Sequence, residues 1–387
     1  MKSFAVPAQI LYEDDAIQYL KDLKSKGTFI VTDKIMSKLG VIDPVTNILK
    51  ENDVSYEIFT EVEPEPTMEV VTHGFKKFLD YGADTIIAIG GGSVIDASKA
   101  MIYFLDVLRQ KSVDSNYEKP FFIAIPTTSG TGSEVTSYAV ITDASTHTKI
   151  PLKSDSMYAD VALLDWNFTK SVPPRVTADT ALDVLTHALE AYVSLGASEY
   201  IDVLAKEAIS TIFDYTEKAY KNGMDKKARM KIHNASCMAG IAFENSGLGI
   251  NHSLAHALGA TFKITHGRSN AVLLPYVVEY NSSLFDENDC YDFKTAKRYT
   301  EISRLLGLPH TDFKEGVVMF VKALKALLQS VGIPIRIKDL GIDENLFNSA
   351  LESMCSRAMQ DICTGGNPRI VDEKGLKDIL IKAYYGK

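Results

Sequence analysis

The sequence predicts an α/β domain built on a parallel sheet, followed by an all-helical domain. Three observations lead to this fold class. The chain has 387 residues, which is more than a single small domain holds. Its first half alternates short apolar runs with segments of helical period, whereas strand signals nearly vanish from Ala178 onward. We place the boundary near residue 176, so that the domains comprise residues 1–176 and 177–387.

Four apolar runs of the first half predict strands, and the first three are nearly continuous. Such runs are typical of strands that are buried on both faces of a parallel sheet. The runs are GTFIVTD (27–33), DTIIAIG (84–90), FFIAIP (121–126) and VALLD (161–165). Two helical segments, TMEVVTHGFKKFLDYG and VIDASKAMIYFLDVL, lie between them. This order predicts a doubly wound α/β domain.

Segments of helical period dominate the second half. They are TALDVLTHALEAYVS, IDVLAKEAISTIFDYTEKAY, KKARMKIHNASCMAGIAF and FKEGVVMFVKALKALLQSVG. Their length and periodicity predict helices rather than buried strands.

Composition and charge exclude several classes of protein. Apolar residues make up 46% and charged residues 24%, the profile of a globular protein with a large core. The net charge of −9, without a run of Lys and Arg, argues against nucleic acid or an anionic membrane as the main partner. No stretch approaches the roughly 20 apolar residues of a membrane span, and the N-terminal MKSFAVPAQI lacks the apolar core of a secretory signal.

The cysteines indicate the compartment. Cys237, Cys290, Cys355 and Cys363 are widely spaced and include no C-x-x-C pair. This spacing predicts neither a thiolate zinc site nor a disulfide framework. We therefore expect a protein of the reducing cytoplasm.

A glycine-rich turn follows the second predicted strand. Residues 90–92 are all glycine, which would let the backbone approach a diphosphate, and the next helix would present free N–H groups to it. Ser93 is a suitable N-cap, and Asp96 would complete a capping box with it. Because the turn lacks the G-x-G-x-x-G pattern, a capped turn without a ligand is the alternative.

A second polar loop, TTSGTGSEVT, follows the third predicted strand. By itself it would be an ordinary surface loop, but its small hydroxyl side chains and glycines also suit phosphate, ribose or nicotinamide. Loops after successive parallel strands fall on the carboxyl edge of the sheet, where open α/β folds bind ligands. The two loops together therefore predict a nucleotide site. The acidic residue at a strand end, Asp33, comes earlier in the chain.

Four histidines and one aspartate lie on mostly apolar segments of the second half. Asp183 and His187 are four residues apart, as are His252 and His256, so each pair lies on one face of its helix. His266 follows at a predicted turn. One carboxylate with three imidazoles suits Zn²⁺ or Fe²⁺, whereas the alternative is a set of hydrogen-bonded core side chains. The spacing leaves open which three histidines would coordinate a metal.

Four motifs in this order resemble the iron-containing (group III) alcohol dehydrogenase family over essentially the whole chain. They are GGGSVIDASKA, PTTSGTGSEVTSYAVIT, ALDVLTHALEAY and NHSLAHALGATFKITHG. Within the family, the sequence is similar to 1-propanol dehydrogenases, butanol dehydrogenases and lactaldehyde reductase. The resemblance implies a Rossmann-like dinucleotide-binding domain followed by a helical metal-binding domain.

The resemblance also implies which residues bind a metal, Fe²⁺ with Zn²⁺ as the alternative. They are Asp183, His187, His252 and His266. His256 then faces the site without binding the metal, and our hypothesis is that it relays a proton to solvent. Phe243 and Cys363 would form walls of the substrate pocket.

A further set of residues is implied to bind NAD(H). They are Gly90, Gly91, Gly92, Ser93, Thr127, Thr128, Thr131 and Lys149. Asp33 matches the family's residue beside the adenine ribose, where a carboxylate would accept hydrogen bonds from the 2′-hydroxyl and repel a 2′-phosphate. We therefore expect NAD(H) rather than NADP(H), although Asp33 would also cap the following helix.

The activity that the resemblance implies is reversible hydride transfer between NADH and a short-chain aldehyde of the acetaldehyde, propionaldehyde or butyraldehyde class, giving the primary alcohol. A dehydroquinate-synthase-like lyase is an alternative, but it would need several basic residues near the metal, where Arg268 stands almost alone. A glycerol-dehydrogenase-like zinc enzyme and an inert scaffold are further alternatives. The resemblance also implies a homodimer and allows association with a bacterial microcompartment.

Overall fold

The computed structural model describes residues 3–111, 118–145, 148–283 and 293–386. These residues fall into two compact units, one of Ala5–Val172 and one of Pro173–Lys387 together with Met1–Phe4. Three of the four cysteines are free thiols, and Cys290 lies outside the described residues. Within the described ranges, no helix is both long and apolar enough to cross a membrane.

Strands and helices alternate through the first unit. Its strands are β1 (Gln9–Tyr12), β2 (Thr28–Asp33), β3 (Tyr56–Val62), β4 (Thr85–Gly90), β5 (Phe121–Pro126), β6 (Tyr138–Asp143), β7 (Thr148–Lys153) and β8 (Val161–Leu164). Its α-helices are α1 (Lys34–Lys38), α2 (Asp43–Glu51), α3 (Met68–Tyr81) and α4 (Gly92–Lys111). The four strands and two helices predicted from the sequence are confirmed, with small differences at their ends.

The main sheet is parallel throughout the described part of the chain, with six strands in the order β1-β8-β5-β4-β2-β3. Its side chains alternate between two cores. Phe29 and Val31 of β2 pack on one face of the sheet, and Ile30 packs on the other. Because helices cover both faces, the central strands need apolar residues at every position, which explains the continuous runs. Strands β6 and β7 form a separate antiparallel hairpin.

The ends of α3 show how local chemistry sets the helix limits in this unit. Thr67 is the N-cap, and its hydroxyl accepts a hydrogen bond from the N–H of Val70. Gly82 ends the helix with φ of 72°, a left-handed conformation that glycine adopts without a Cβ clash. The helix therefore begins and ends where the sequence predicted.

The second unit is helical in its described residues. Its helices are α5 (Pro174–Val193), α6 (Glu199–Lys221), α7 (Lys226–Ser246), α8 (Ile250–Phe262), α9 (His266–Asn281), α10 (Phe293–Leu305), α11 (Phe313–Ser330), α12 (Glu344–Gln360) and α13 (Glu373–Tyr385). From Thr177 to Val193, every residue of α5 except Thr180 is buried. This helix is the centre of the unit, so any polar side chain on it must find its partners inside the protein.

Candidate active site

Three ionisable side chains lie on one face of the buried helix α5. Asp183, His187 and Glu190 are spaced by four and then three residues, and at most 5% of each residue is exposed. A buried carboxylate or imidazole at such a position costs free energy unless a hydrogen bond or a cation compensates it. The partners of all three side chains therefore determine what this face of the helix does.

The start of α9 is held against α5. The guanidinium of Arg268 donates two hydrogen bonds to Oδ1 of Asp179, at 2.9 and 2.8 Å, and the hydroxyl of Thr265 donates to Oδ2 at 2.9 Å. The backbones approach so closely that a methyl group at Gly267 would lie 2.2 Å from the carbonyl oxygen of Asp179. The sequence placed His266 at a turn, but the structure makes it the first residue of α9. This anchoring fixes its position.

Four side chains meet at one point of the second unit. The ligand atoms of Asp183, His187, His252 and His266 all lie within 4.8 Å of one another, and 3.5 Å separates Nε2 of His266 from Oδ1 of Asp183. A tetrahedral ion with bonds of about 2.0–2.2 Å separates its ligand atoms by about 3.3–3.6 Å. Small side-chain adjustments would complete such a shell, so the donor set fits a divalent metal ion. Imidazole and carboxylate donors suit both iron and zinc.

The buried environment favours the protonation state that a metal ligand needs. Burial lowers the pKa of His252 well below its ordinary value, and the charges of His266 and His256 act in the same direction. The ring is therefore neutral, and one of its two nitrogens carries a lone pair rather than a proton. Burial also raises the pKa of Asp183, while the charge of His187 opposes this rise. A cation at this point would offset the cost of burying the carboxylate.

Two amides and one carboxylate determine the tautomer of His252. Nδ2 of Asn251 donates a hydrogen bond to Oδ1 of Asn270 at 3.0 Å, which shows which end of the Asn270 amide is the oxygen. The other end, the amide nitrogen, therefore faces Nε2 of His252 at 3.2 Å. Nε2 must then be the acceptor, and Nδ1 carries the proton, which it donates to Glu190. Burial raises the pKa of Glu190 to about 8, and a cation held by the group of four would act in the opposite direction and favour the carboxylate. A histidine whose other nitrogen is bound to a carboxylate presents a fixed lone pair to a metal.

His256 lies outside this group of four but beside it. Its ring stacks on that of His266 with centroids 5.3 Å apart, and its Nδ1 lies 2.7 Å from Oδ2 of Asp361. Burial alone would raise the pKa of Asp361, but the hydrogen bond and charge of His256 outweigh it and lower that pKa to about 2. Asp361 also accepts a hydrogen bond from the N–H of Cys363 at 2.9 Å.

Phe243 and Cys363, which were predicted as walls of the substrate pocket, both lie near the group of four. The ring of Phe243 stacks on the ring of His187, with centroids 4.6 Å apart. Cys363 is partly exposed and follows Asp361 in the short 3-10 helix Ile362–Gly366.

In the first unit, the predicted nucleotide residues lie at the carboxyl ends of three neighbouring strands. Asp33 ends β2, Gly90 ends β4, and Thr127 follows β5. The N–H of Thr127 donates to the carbonyl of Gly90 at 2.9 Å, so the two loops begin side by side. This is the edge at which open α/β sheets bind their ligands.

The glycine turn and the threonine loop remain in contact beyond that point. A methyl group at Gly91 would lie 3.3 Å from Oγ1 of Thr128, and one at Gly92 would lie 2.8 Å from Cγ2 of Thr131. The absence of side chains at these two positions is what lets the loops approach. Together they form a backbone-lined surface at the start of α4, where N–H groups point outward.

The predicted capping box is wrong. Helix α4 begins at Gly92, and the carbonyl of Gly91 accepts hydrogen bonds from Val94 and Ile95, so Ser93 lies inside the first turn. Asp96 turns inward instead and accepts hydrogen bonds from the hydroxyl of Ser133 and the N–H of Val140. Ser93 is thereby left at the turn without a capping role.

A buried lysine supports the threonine loop. Nζ of Lys99 donates to the hydroxyls of Ser133 and Thr136, both at 2.9 Å, and to the carbonyl of Tyr138 at 3.0 Å. The hydroxyl of Ser133 also donates a hydrogen bond to Oδ1 of Asp96 at 2.6 Å, so two side chains of α4 hold the threonine loop. The three-residue spacing of Asp96 and Lys99 was visible in the sequence, but nothing there indicated that Lys99 is buried or that both side chains bind the threonine loop.

The two remaining predicted cofactor residues lie at the surface. Oδ1 of Asp33 accepts hydrogen bonds from the N–H groups of Ile35 and Met36 at 2.7 and 2.9 Å, so this residue caps α1. Lys149 lies on β7 and pairs with Glu65 at 2.7 Å. The structure thus brings the glycine and threonine residues together, while Lys149 pairs with the exposed carboxylate of Glu65 instead.

Comparisons with known proteins identify the family. The model of the family described as iron-containing alcohol dehydrogenase matches residues 7–166, and that of the C-terminal region of the Fe-containing alcohol dehydrogenase family matches residues 177–384. The chain belongs to the iron-containing alcohol dehydrogenase family. The family that the motifs resembled is therefore confirmed, as is the fold class of a parallel Rossmann-like unit followed by a helical one.

Relatives within the iron-containing alcohol dehydrogenase family differ in length. Aldehyde-alcohol dehydrogenase 2 of Entamoeba histolytica is 42% identical over 99% of this chain, which spans only 46% of that relative. The chain thus spans about half the length of the first curated relatives it matches. NADPH-dependent butanol dehydrogenase of Clostridium saccharobutylicum is 38% identical over 100% of this chain and 99% of its own length. An iron-containing alcohol dehydrogenase of Thermococcus thioreducens has a TM-score of 0.89 at 30% identity, and the two chains cover each other fully.

Three residues of this site were missed by reasoning from the sequence. Glu190 carried a usable signal, because it follows Asp183 by seven residues and so lies on the same helical face. Asn270 follows His266 by four residues and carried a similar signal. Asp361 carried none, since 105 residues separate it from His256.

Proposed function

We propose that this chain catalyses reversible hydride transfer between NADH and a short-chain aldehyde, giving the primary alcohol. The observation that carries the proposal is the convergence of one carboxylate and three imidazoles within 4.8 Å in a member of the iron-containing alcohol dehydrogenase family. Relatives named aldehyde-alcohol and butanol dehydrogenases support the same substrate class. These relatives do not favour the lyase alternative.

The residues of the second unit would divide the work as follows. The group of four would hold Fe²⁺, with Zn²⁺ as the alternative, and bound Fe²⁺ supplies Lewis acidity for the substrate oxygen. Glu190 keeps the lone pair of His252 directed at the ion. Phe243 limits the space beside His187. His256, held by Asp361 and 44% exposed in its side chain, is placed to pass a proton between the site and solvent.

The nucleotide would bind at the carboxyl edge of the main sheet. The glycine turn and the N-terminus of α4 would receive the diphosphate, and the threonine loop would lie against the rest of the cofactor. Asp33 uses Oδ1 to cap α1, so Oδ2 would remain for a ribose hydroxyl. A 2′-phosphate would meet this negative charge, which supports NADH over NADPH even though one relative is NADPH-dependent.

The first test is NADH oxidation with propionaldehyde under argon by chelator-stripped protein, with and without added Fe²⁺. Turnover that depends on Fe²⁺ is the expected result, and Zn²⁺ in a parallel cuvette tests the alternative metal. Asp183→Asn should lose metal and turnover together, whereas His310→Ala, whose ring lies outside the site, should lose neither. Absence of turnover with either metal would contradict the proposal.

The proposal extends to a cytoplasmic homodimer. The described cysteines Cys237, Cys355 and Cys363 are free thiols, which suits a reducing compartment. The homodimer rests on the resemblance to the family. Light scattering after size-exclusion chromatography tests it directly, because a mass equal to one chain would contradict it.

A further inference from the structure

A second group of metal-ligand side chains lies beside the group of four. The ligand atoms of His256, Asp361 and Cys363 also lie within 4.8 Å of one another. We propose that these three residues form a separate binding site for a thiophilic divalent cation such as Zn²⁺ or Cd²⁺. This second site differs from the first in containing sulfur.

Three elements build the second site. His256 comes from α8, and Asp361 follows the last residue of α12. Asp361 then caps the 3-10 helix Ile362–Gly366, and its hydrogen bond from the N–H of Cys363 turns that residue back toward the carboxylate. Oδ2 of the same carboxylate lies 2.7 Å from Nδ1 of His256, so one aspartate aligns both other ligands.

The charges of the second site suit a dication. A carboxylate and a thiolate together carry two negative charges, and the imidazole adds a neutral donor. Burial and the charge of Asp361 raise the pKa of the Cys363 thiol well above its ordinary value, so the thiol is protonated until a cation binds. Zn²⁺ removes the proton of a coordinating thiol, and binding at this site would therefore release one proton.

Ligand softness separates the second site from the first. The group of four offers only nitrogen and oxygen, whereas the second site adds sulfur, which favours Zn²⁺ and Cd²⁺ over harder cations. The side chain of His256 is 44% exposed, which gives an ion access from solvent. A simple hydrogen-bonded pair of His256 and Asp361 would need no thiol at this position.

Occupation of the second site would engage His256. One consequence rests on the proposed function. If His256 relays a proton, excess Zn²⁺ would slow turnover without displacing the first metal. Binding itself does not depend on the relay or on any catalytic step.

Cadmium titration of the iron-loaded full chain tests the inference. Coordination of Cd²⁺ by a thiolate gives a charge-transfer absorption in the ultraviolet, and the group of four cannot produce it because it contains no sulfur. We expect this band to saturate at one equivalent of Cd²⁺ per chain while the iron content stays constant. A wild-type protein without the band would overturn the proposal, whether or not it is active.

Matched cysteine variants show which thiolate gives the absorption band. Cys363→Ser should abolish it and lower the affinity for Cd²⁺ by more than about 100-fold, the upper range for losing an outer partner of a metal ligand. Cys355→Ala and Cys290→Ala should keep it. A band that persists in Cys363→Ser would also overturn the proposal.

Two further variants keep the test decisive if Cys363→Ser does not fold. Asp361→Asn and His256→Gln retain the thiol but each removes one of the other ligands. Both should weaken binding of Cd²⁺ at least tenfold while leaving the thiolate band visible at saturation. Unchanged affinity in both variants would contradict a three-ligand site.

Discussion

At the residue scale, the site depends on a few buried polar atoms whose orientation is determined by their neighbours. The amide of Asn270 can present only its nitrogen to His252, because Asn251 donates to its oxygen. Glu190 then accepts the proton on the far side of the ring. The lone pair is therefore directed before any ion arrives, which reduces the cost of ordering the ligands on binding.

Replacing Glu190 tests this orientation. Glu190→Gln keeps the size of the side chain but removes the carboxylate, so we expect affinity for Fe²⁺ or Zn²⁺ to fall about 10–100-fold. Competition with a chromogenic chelator measures this affinity without any turnover. Glu207→Gln, an exposed change on α6, should leave it unaltered. Equal affinities in the two variants would show that Glu190 has no role in metal binding.

The charge of Asp33 is predicted to determine the cofactor preference. Asp33→Asn keeps a capping oxygen for α1 but removes the negative charge that would face a 2′-phosphate. We expect the ratio of kcat/KM for NADPH to that for NADH to rise about tenfold, which corresponds to about 1.4 kcal/mol. Asp43→Asn, an exposed change in the first turn of α2, is the control. A ratio that rises equally in the control would exclude a local effect of Asp33.

At the element scale, close approaches between backbones decide where the functional side chains lie. Helix α9 begins against α5, where Gly267 leaves no space for a side chain. In the first unit, Gly92 likewise leaves no space for a side chain between the start of α4 and the threonine loop. The sequence showed both glycines but not the elements against which they pack. Strand β3 was not predicted because its YEIFTEV mixes charged and apolar residues, as an edge strand allows.

The approach of α9 to α5 leads to a stability prediction. Gly267→Ala would force the two backbones apart at a cost of about 1–3 kcal/mol, in spite of the better helix propensity of alanine. At about 2–4 °C per kcal/mol, the thermal midpoint should fall by several degrees, and metal affinity should fall with it because His266 moves. Gly365→Ala places its methyl group in open space and should leave the midpoint nearly unchanged.

At the scale of the whole molecule, the core of the second unit also buries a histidine that belongs to no site described above. Only 1% of His233 on α7 is exposed, and burial lowers its pKa from 6.5 to about 4. Below pH 6.5, His233 binds a proton in the unfolded chain, whereas in the folded chain it stays neutral until the pH approaches 4. His233 therefore contributes stability that is present above pH 6.5 and is lost as the pH falls toward 4.

This histidine predicts part of the acid sensitivity of the protein. Between pH 7 and pH 4, the loss from His233 should approach about 3 kcal/mol. We expect the thermal midpoint of His233→Gln to depend less steeply on pH than that of the wild type. Both should be measured with a chelator present, so that metal release does not add its own pH dependence. His73→Gln, an exposed change in the first unit, should follow the wild type.

The sequence by itself determined the features that depend on near neighbours. Periodicity and turn residues sufficed to predict the central strands, the long helices and the order of the two kinds of fold. Spacing placed Asp183 and His187 on one helical face, and the motifs identified the family. Each of these inferences uses residues that are close along the chain, where geometry follows from the local conformation.

Only the tertiary structure decided how distant segments meet. Glu190 and His252 are 62 residues apart, and His256 and Asp361 are 105 apart. No local rule relates such residues, because their contact depends on how α5, α8, α9 and the end of α12 pack. The same packing brings four ligand atoms together, leaves His256 outside them, and turns Asp96 away from the cap it was predicted to form. Long-range packing, rather than local propensity, therefore built the site.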